Sequence, residues 1–411
     1  MDSLARRGTR FDHAYAAVPV CLPARTCLHT GHISSEFNIR DNRCGREDQI
    51  VPPEILQRGQ GWLLKEAGYR ALYGGKQHFP KYRAEDIGFE VITHNERDDL
   101  VTACCDVFAQ PPDGKPFALM CHLINPHDIC YMAIRDATTP ENEARIMKNA
   151  SIEIEELDKA LRRPPGVSDA EFFDKHCPPL PDNYAAQADE PEAFQELMDE
   201  RPFRRNARAH WPAERWREHR WAYARLTERV DQQIGRLLEA LAASPYADNT
   251  IVIFTSDHGD MDSAHGFEHK TLFYEEAAQI PFIIAGPGIP QGRIDDEHVI
   301  SNGLDLLPTL CDYAGAAIPE DVWGMSMRPL LEGGSWSRDY VPIVNQIGHA
   351  VASRTHKYCV FDQGDNAEQL YDLVNDPGEM RNALNDPDQA EALAKHRAWF
   401  GEYWNERQLP G

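Results

Sequence analysis

The 411-residue chain carries 42 Lys and Arg against 66 Asp and Glu, a net charge of −24. That length holds one large core, or one large and one small domain, and the charge opposes nucleic acid as a general partner and demands a locally positive pocket for any anionic substrate. No apolar run reaches the roughly 18 residues of a membrane span, and the start, Met1-Asp2-Ser3-Leu4-Ala5-Arg6-Arg7, has no apolar stretch behind its arginines, so neither a membrane partner nor a signal peptide is expected.

Residues 3–8 read as the tail of a helix ending at Gly8, and 9–15 as a short extended piece. Residues 21–29 form a predicted helix entered through Pro23 and stopped by Gly31, since proline is tolerated in a first turn and glycine takes the left-handed cap. A short helix over 61–67 and a strand over 69–73 follow, the strand ended by Gly74 and Gly75. The continuous run Phe117-Ala118-Leu119-Met120-Cys121-His122-Leu123 fits a strand covered on both faces. Residues 132–200, rich in Glu, Asp and Pro with little periodicity, read as a long excursion around a substrate opening.

From 214 to 241 the pattern is helical, with Val230, Ile234, Leu237 and Leu241 on one stripe, and it feeds a strand over 250–256. That succession is an α/β crossover. A buried strand over 281–285, the turn Gly286-Pro287-Gly288 and a helix over 303–313 continue it. After about residue 335 the elements shorten; 340–345, 351–353 and 358–361 fit a small antiparallel sheet, and Trp399 and Trp404 lie in a terminal helix expected to dock back. The expected division is a catalytic domain over 1–334 and a small α+β subdomain over 335–411. The ten cysteines lack disulfide-scaffold spacing, which fits reduced thiols in a cytoplasmic protein.

Several segments carry groups suited to chemistry. Cys21, in the first turn of its helix, lies among unpaired backbone N–H groups at the positive end of the dipole, with Arg25 one turn along the same face. This arrangement suits an activated thiolate and equally a buried cysteine near a helix start. Lys76 and His78, two apart at the end of an extended segment, share one side if strand geometry continues. Lysine offers fixed positive charge and histidine exchanges protons near neutrality, although a surface lysine beside a loop histidine has the same pattern.

His127 and Asp128 follow the apolar run at 116–123, where catalytic loops of α/β proteins lie; a structural histidine and a turn-capping aspartate fit as well, and His122 within the strand reads as packed. Asp257 and His258 end the 250–256 strand and supply one carboxylate and one imidazole, fewer than a full oxygen-rich metal shell needs. Lys270, His265 and His269 come next; locally Lys270 reads as a surface charge, and either histidine could line a pocket, although a solvent-exposed loop histidine has the same pattern.

The stretch Cys21-Leu22-Pro23-Ala24-Arg25-Thr26-Cys27-Leu28-His29-Thr30-Gly31 resembles the modification signature of the type I, formylglycine-dependent sulfatases of the alkaline phosphatase superfamily. Gly75-Lys76-Gln77-His78, Asn125-Pro126-His127, the pair Asp257-His258 and Lys270, 13 residues after Asp257, fall in the order that family shows, and Leu370-Tyr371-Asp372-Leu373-Val374-Asn375-Asp376-Pro377-Gly378-Glu379 is similar to its C-terminal segment. The resemblance implies an α/β fold with a central mixed sheet flanked by helices and a small C-terminal antiparallel sheet. It also implies hydrolysis of a small-molecule or sugar sulfate ester.

In that reading Cys21 is converted to formylglycine by a formylglycine-generating enzyme. Asp257, His258 and the converted Cys21 bind a divalent cation, calcium with manganese or magnesium as alternatives. Arg25 stabilises the nucleophile, Lys76, His127 and Lys270 hold sulfate oxygens, His127 protonates the leaving alcohol, and His78 is the base for the second step. The histidine at 258 also occurs in relatives that hydrolyse phosphonate or phosphate esters, and a non-catalytic relative is the third reading. The family carries a strand ending in an Asp-Asp metal pair upstream of the segment that here reads Asp2 to Phe11. The expectation is therefore a truncated version of a longer protein, weak in cation binding unless Asp12, Asp260 or Asp262 substitutes.

Overall fold

The computed structural model describes residues 1–43, 46–137 and 141–406. Its strands are β1 (Gly8–Tyr15), β2 (Arg70–Gly75), β3 (Glu90–Thr93), β4 (Phe117–His122), β5 (Val252–Thr255), β6 (Phe282–Ala285), β7 (Arg293–Ser301), β8 (Val341–Asn345), β9 (Gly348–Ala352), β10 (His356–Phe361) and β11 (Glu368–Asp372). A mixed sheet has the order β5-β6-β1-β7, with β1 antiparallel to β6 and parallel to β7. A parallel sheet has the order β3-β2-β4. The third sheet is the antiparallel meander β11-β10-β9-β8.

Phe11, Phe282, Ile284 and Ile300 make one core on the mixed sheet, and Tyr73, Ala71, Phe89 and Leu22 another beneath the parallel one. β4 and β5 are edge strands of their sheets, and for that reason β4, expected to be covered on both faces, is only half-buried at every residue. The Cys21–Thr30 helix is buried along its whole length. It starts after the extended residue Val20 and ends where Gly31 takes φ 74° and its N–H reaches the Cys27 carbonyl.

The long Ala213–Ala242 helix feeds β5. The excursion expected over 132–200 is largely helical instead, with Glu141–Lys148, Ser151–Ala160 and Phe194–Glu200 among its pieces; residues 138–140 lie outside the described part. These helices are too short and too charged to print an apolar stripe, and they owe their order to packing, as where Leu157 meets Ala222 and Leu226 of the long helix.

The terminal Ala390–Glu406 helix docks back, Trp399 stacking on Tyr340 and Trp404 lying across His349. Below the antiparallel sheet Lys357 is fully buried between Glu275, 2.8 Å away, and Glu379, 2.7 Å away, and Glu275 also accepts the Tyr15 hydroxyl at 3.0 Å. All described cysteines are free thiols, and no described helix is long and apolar enough to cross a membrane.

Candidate active site

Cys21 opens its helix directly after the buried turn that leaves β1, and the first-turn amide of Leu22 is capped from outside by Asn42 Oδ1 at 3.0 Å. One turn on, Arg25 spreads its guanidinium over several partners. Nε donates to Asp257 Oδ2 at 3.0 Å, while Nη1 donates to the Lys76 carbonyl at 2.9 Å and meets His122 Nδ1 at 3.0 Å. Because arginine only donates, His122 Nδ1 accepts and its proton sits on Nε2, a buried atom without a partner. Tyr73 stacks on the His122 ring at 4.6 Å and donates its hydroxyl to the Lys76 carbonyl.

Lys76 is set at the end of β2 by a glycine: Gly75 has φ 91°, and a β-carbon there would lie 2.2 Å from the His122 carbonyl oxygen. Asp257 and His258 leave the end of β5. The His258 Nδ1–H donates to the Gly259 carbonyl at 2.6 Å, which turns the Nε2 lone pair toward Cys21 Sγ, 3.1 Å away. His127, beyond β4, lies close enough to Cys21 to act on its thiol, and buried Lys270 lies 3.7 Å from Cys130 Sγ.

Burial alone would raise the Cys21 thiol, but Lys270, Lys76 and His258, with His127 nearby, hold it well below the ordinary thiol value. Burial would likewise raise Asp257; His258 and Arg25 hold it below the usual carboxylate range. Burial and Lys76 lower His127 to about 4, so its free ring is neutral near pH 7. Lys270 stays firmly charged: burial opposes it, yet Cys130 and Cys21 raise its value. Within a chain of net −24, the local pocket around Cys21 is thus positive.

The structure brings together Cys21, Arg25, Lys76, His127, Asp257, His258 and Lys270. His78 is half-buried with φ 49°, and among the described contacts none joins it to Cys21. His122, read from sequence as packed within its strand, also meets Arg25, and Cys130 was not singled out from sequence. His122 sits inside an apolar run, and its partner Arg25 is 97 positions away, so no local pattern reveals it.

Cys21 Sγ, an Asp257 carboxylate oxygen and a His258 nitrogen lie within 4.8 Å of one another. That spacing would let the three share one divalent cation. None of the other acids named from sequence joins this group. Asp12 pairs with Arg10 at 2.7 Å, Asp262 with Arg220 at 3.1 Å, and Asp260 is buried near His219 and Lys270.

The Sulfatase family model matches residues 1–316. The chain belongs to the sulfatase family. Its residues 263–401 also match the family described as N-sulphoglucosamine sulphohydrolase, C-terminal. This sulfatase is similar to the Delta 4,5-hexuronate-2-O-sulfatase of Bacteroides thetaiotaomicron, with 31% identity over 98% of this chain and 82% of that one. It superposes on the solved structure of a 2-O GAG sulfatase with a TM-score of 0.80 at 30% identity, covering 99% of this chain and 86% of that one. The phosphonate monoester hydrolase of Agrobacterium radiobacter, with a TM-score of 0.67 at 19% identity over 97% of this chain and 89% of that one, shares the alkaline-phosphatase-like α/β fold. The sulfatase is a hydrolase of sulfuric esters, and the phosphorus-ester and non-catalytic readings are not favoured.

Proposed function

We propose that this sulfatase releases inorganic sulfate from a sulfated sugar, with position 21 converted from cysteine to formylglycine and a divalent cation beside it. The observation that carries the reading is the convergence on buried Cys21 of His258, 3.1 Å away, His127, Lys76 and Lys270, with Arg25 anchoring Asp257 next to them. The hexuronate-2-O-sulfatase and the 2-O GAG sulfatase support a sugar as the alcohol part.

A hydrated formylglycine would supply the oxygen that attacks sulfur and the second hydroxyl that later expels sulfate. Asp257, His258 and the oxygen replacing Cys21 Sγ would hold the cation, with calcium expected and manganese or magnesium the alternatives, and it would supply Lewis-acid charge neutralisation. Arg25 stabilises the nucleophile, and Lys76 and Lys270 are fixed positive groups that bind and orient the sulfate oxygens. His127 delivers the proton to the departing alcohol; an anionic ester pulls its value up from about 4, opposing Lys76. For His78 the base role rests on its place in the sequence, since no described contact joins it to position 21. A formylglycine-generating enzyme is the maturation partner this scheme requires.

The test is a panel of sugar sulfates, an aryl sulfate, a phosphonate monoester and a phosphodiester, given to protein whose intact mass confirms the aldehyde at position 21. Sulfate release with sugar sulfates leading is expected. Faster turnover of the phosphorus esters, or full activity of a Cys21→Ala variant, overturns the proposal.

A further inference from the structure

Arg204 lies in the first turn of the Pro202–His210 helix and is only 7% exposed. Among the described contacts its guanidinium donates from Nη1 to the Leu197 carbonyl at 3.3 Å, and its Nε has no partner. Glu268 and Glu200 face it electrostatically, yet neither stands within ion-pair distance of it among the described residues; both Glu268 oxygens are buried without a hydrogen bond, and Glu200 is turned to Gln346 and Arg43. A buried guanidinium whose fork meets no carboxylate is a costly arrangement, relieved when a planar anion takes two of its N–H groups.

His269 connects this place to the sulfate centre. Its ring lies edge-on to Phe203 at 5.8 Å, its buried Nδ1 lacks a partner, and its surroundings include Lys270, Arg204, Cys21 and His258. Cys130, 3.7 Å from the Lys270 ammonium, also feels Cys21, and it lies close enough to Arg204 to act on it.

We infer that Arg204 and His269 form a second anion-binding position beside the sulfate centre, one that takes the carboxylate of a sulfated uronic acid. The inference rests on the sugar-sulfate reading above and narrows it. Arg204 grips the carboxylate through two N–H groups, and His269 stands between that carboxylate and the sulfate held near Cys21. Burial raises the Glu268 carboxyl above its ordinary value although Arg204 opposes this. A second sulfate on a neutral sugar is the competing occupant, but a tetrahedral anion matches the planar fork less well than a carboxylate.

The experiment compares a monosulfated uronic acid, the matching neutral sugar sulfate, its disulfated form and an aryl sulfate on the aldehyde-bearing enzyme. The uronic acid should lead in kcat/KM. Arg204→Gln should raise KM for it by about 30-fold or more, the loss of a charge-assisted pair, with the neutral sugar sulfate and the aryl sulfate unchanged. Equal preference for the neutral sugar, a lead for the disulfated sugar, or an Arg204→Gln loss shared by every substrate would overturn the assignment.

If Arg204→Gln does not fold, the wild-type comparison still decides. Calorimetry reads the position without turnover: the Cys21→Ala protein should bind the unsulfated uronic acid and not the neutral sugar, and failure to discriminate overturns the assignment. Absence of sulfate release from every substrate would instead sink the hydrolytic reading, leaving the calorimetric result to judge Arg204.

Discussion

Arg25 Nε donates to Asp257 Oδ2 at 3.0 Å, so the first turn of the Cys21 helix and the loop beyond β5 are tied by one side chain. The same guanidinium holds the Lys76 carbonyl and His122, contacts that a single ammonium cannot reproduce. Arg25→Lys should keep the fold and lower kcat/KM by about 100-fold or more, measured as sulfate release, because both Asp257 and the Lys76 backbone lose their anchor. Near-wild-type turnover in Arg25→Lys would refute this role.

Chelation gives a second test. Removing divalent ions should abolish most turnover, and calcium, manganese or magnesium should restore it to different extents. Asp257→Asn keeps the shape but removes the carboxylate charge beside Cys21 and His258, so it should raise the metal concentration needed for half-activity. Unchanged activity in protein shown by elemental analysis to be metal-free would remove the cation from the scheme.

Much of this site was legible because its groups stand at the ends of apolar runs. Asp257 follows β5, Lys76 follows Tyr73 on β2, and His127 comes just beyond β4. β7 was not legible: Arg293 to Ser301 begins with charged residues and no apolar run, and only the fold shows Asp295 buried, taking Arg293 at 2.6 Å and His298 at 3.0 Å. Arg204 was equally hidden, since one arginine among several in an acidic segment carries no local mark of burial. Sequence periodicity reports a face only when the element is long enough to repeat it, as Ala213–Ala242 is.

The Lys357 cluster makes a stability prediction. Burial disfavours the Lys357 charge, but Glu275 and Glu379 hold its value above the ordinary one. Lys357→Met leaves two carboxylates facing each other without a cation and should cost roughly 3–5 kcal/mol by denaturant titration. Adding Glu275→Gln and Glu379→Gln should return much of that loss; no recovery would mean that packing, not charge, dominates.

Acid should destabilise the protein through buried neutral histidines. Burial lowers His29 to about 3 and His396 to about 4, whereas both return to about 6.5 when unfolded. The unfolded chain therefore takes up protons first, and stability present above pH 6.5 is lost as pH falls toward those lower values, at about 1.4 kcal/mol per pH unit for each ring. Urea midpoints measured from pH 7 to 4.5 should fall, and His396→Gln should make the slope shallower. A flat profile would contradict the neutral assignment.

Lys357 has a consequence for how the polypeptide comes apart. It belongs to β10, while its partners Glu275 and, through the Tyr15 hydroxyl, the end of β1 lie in the part of the chain that holds the nucleophile. A protease that nicks the exposed turn at residues 332–335 should therefore not liberate a free-standing catalytic fragment. The two pieces should elute together under native conditions and part only in denaturant, as one cooperative body cut in its covalent thread.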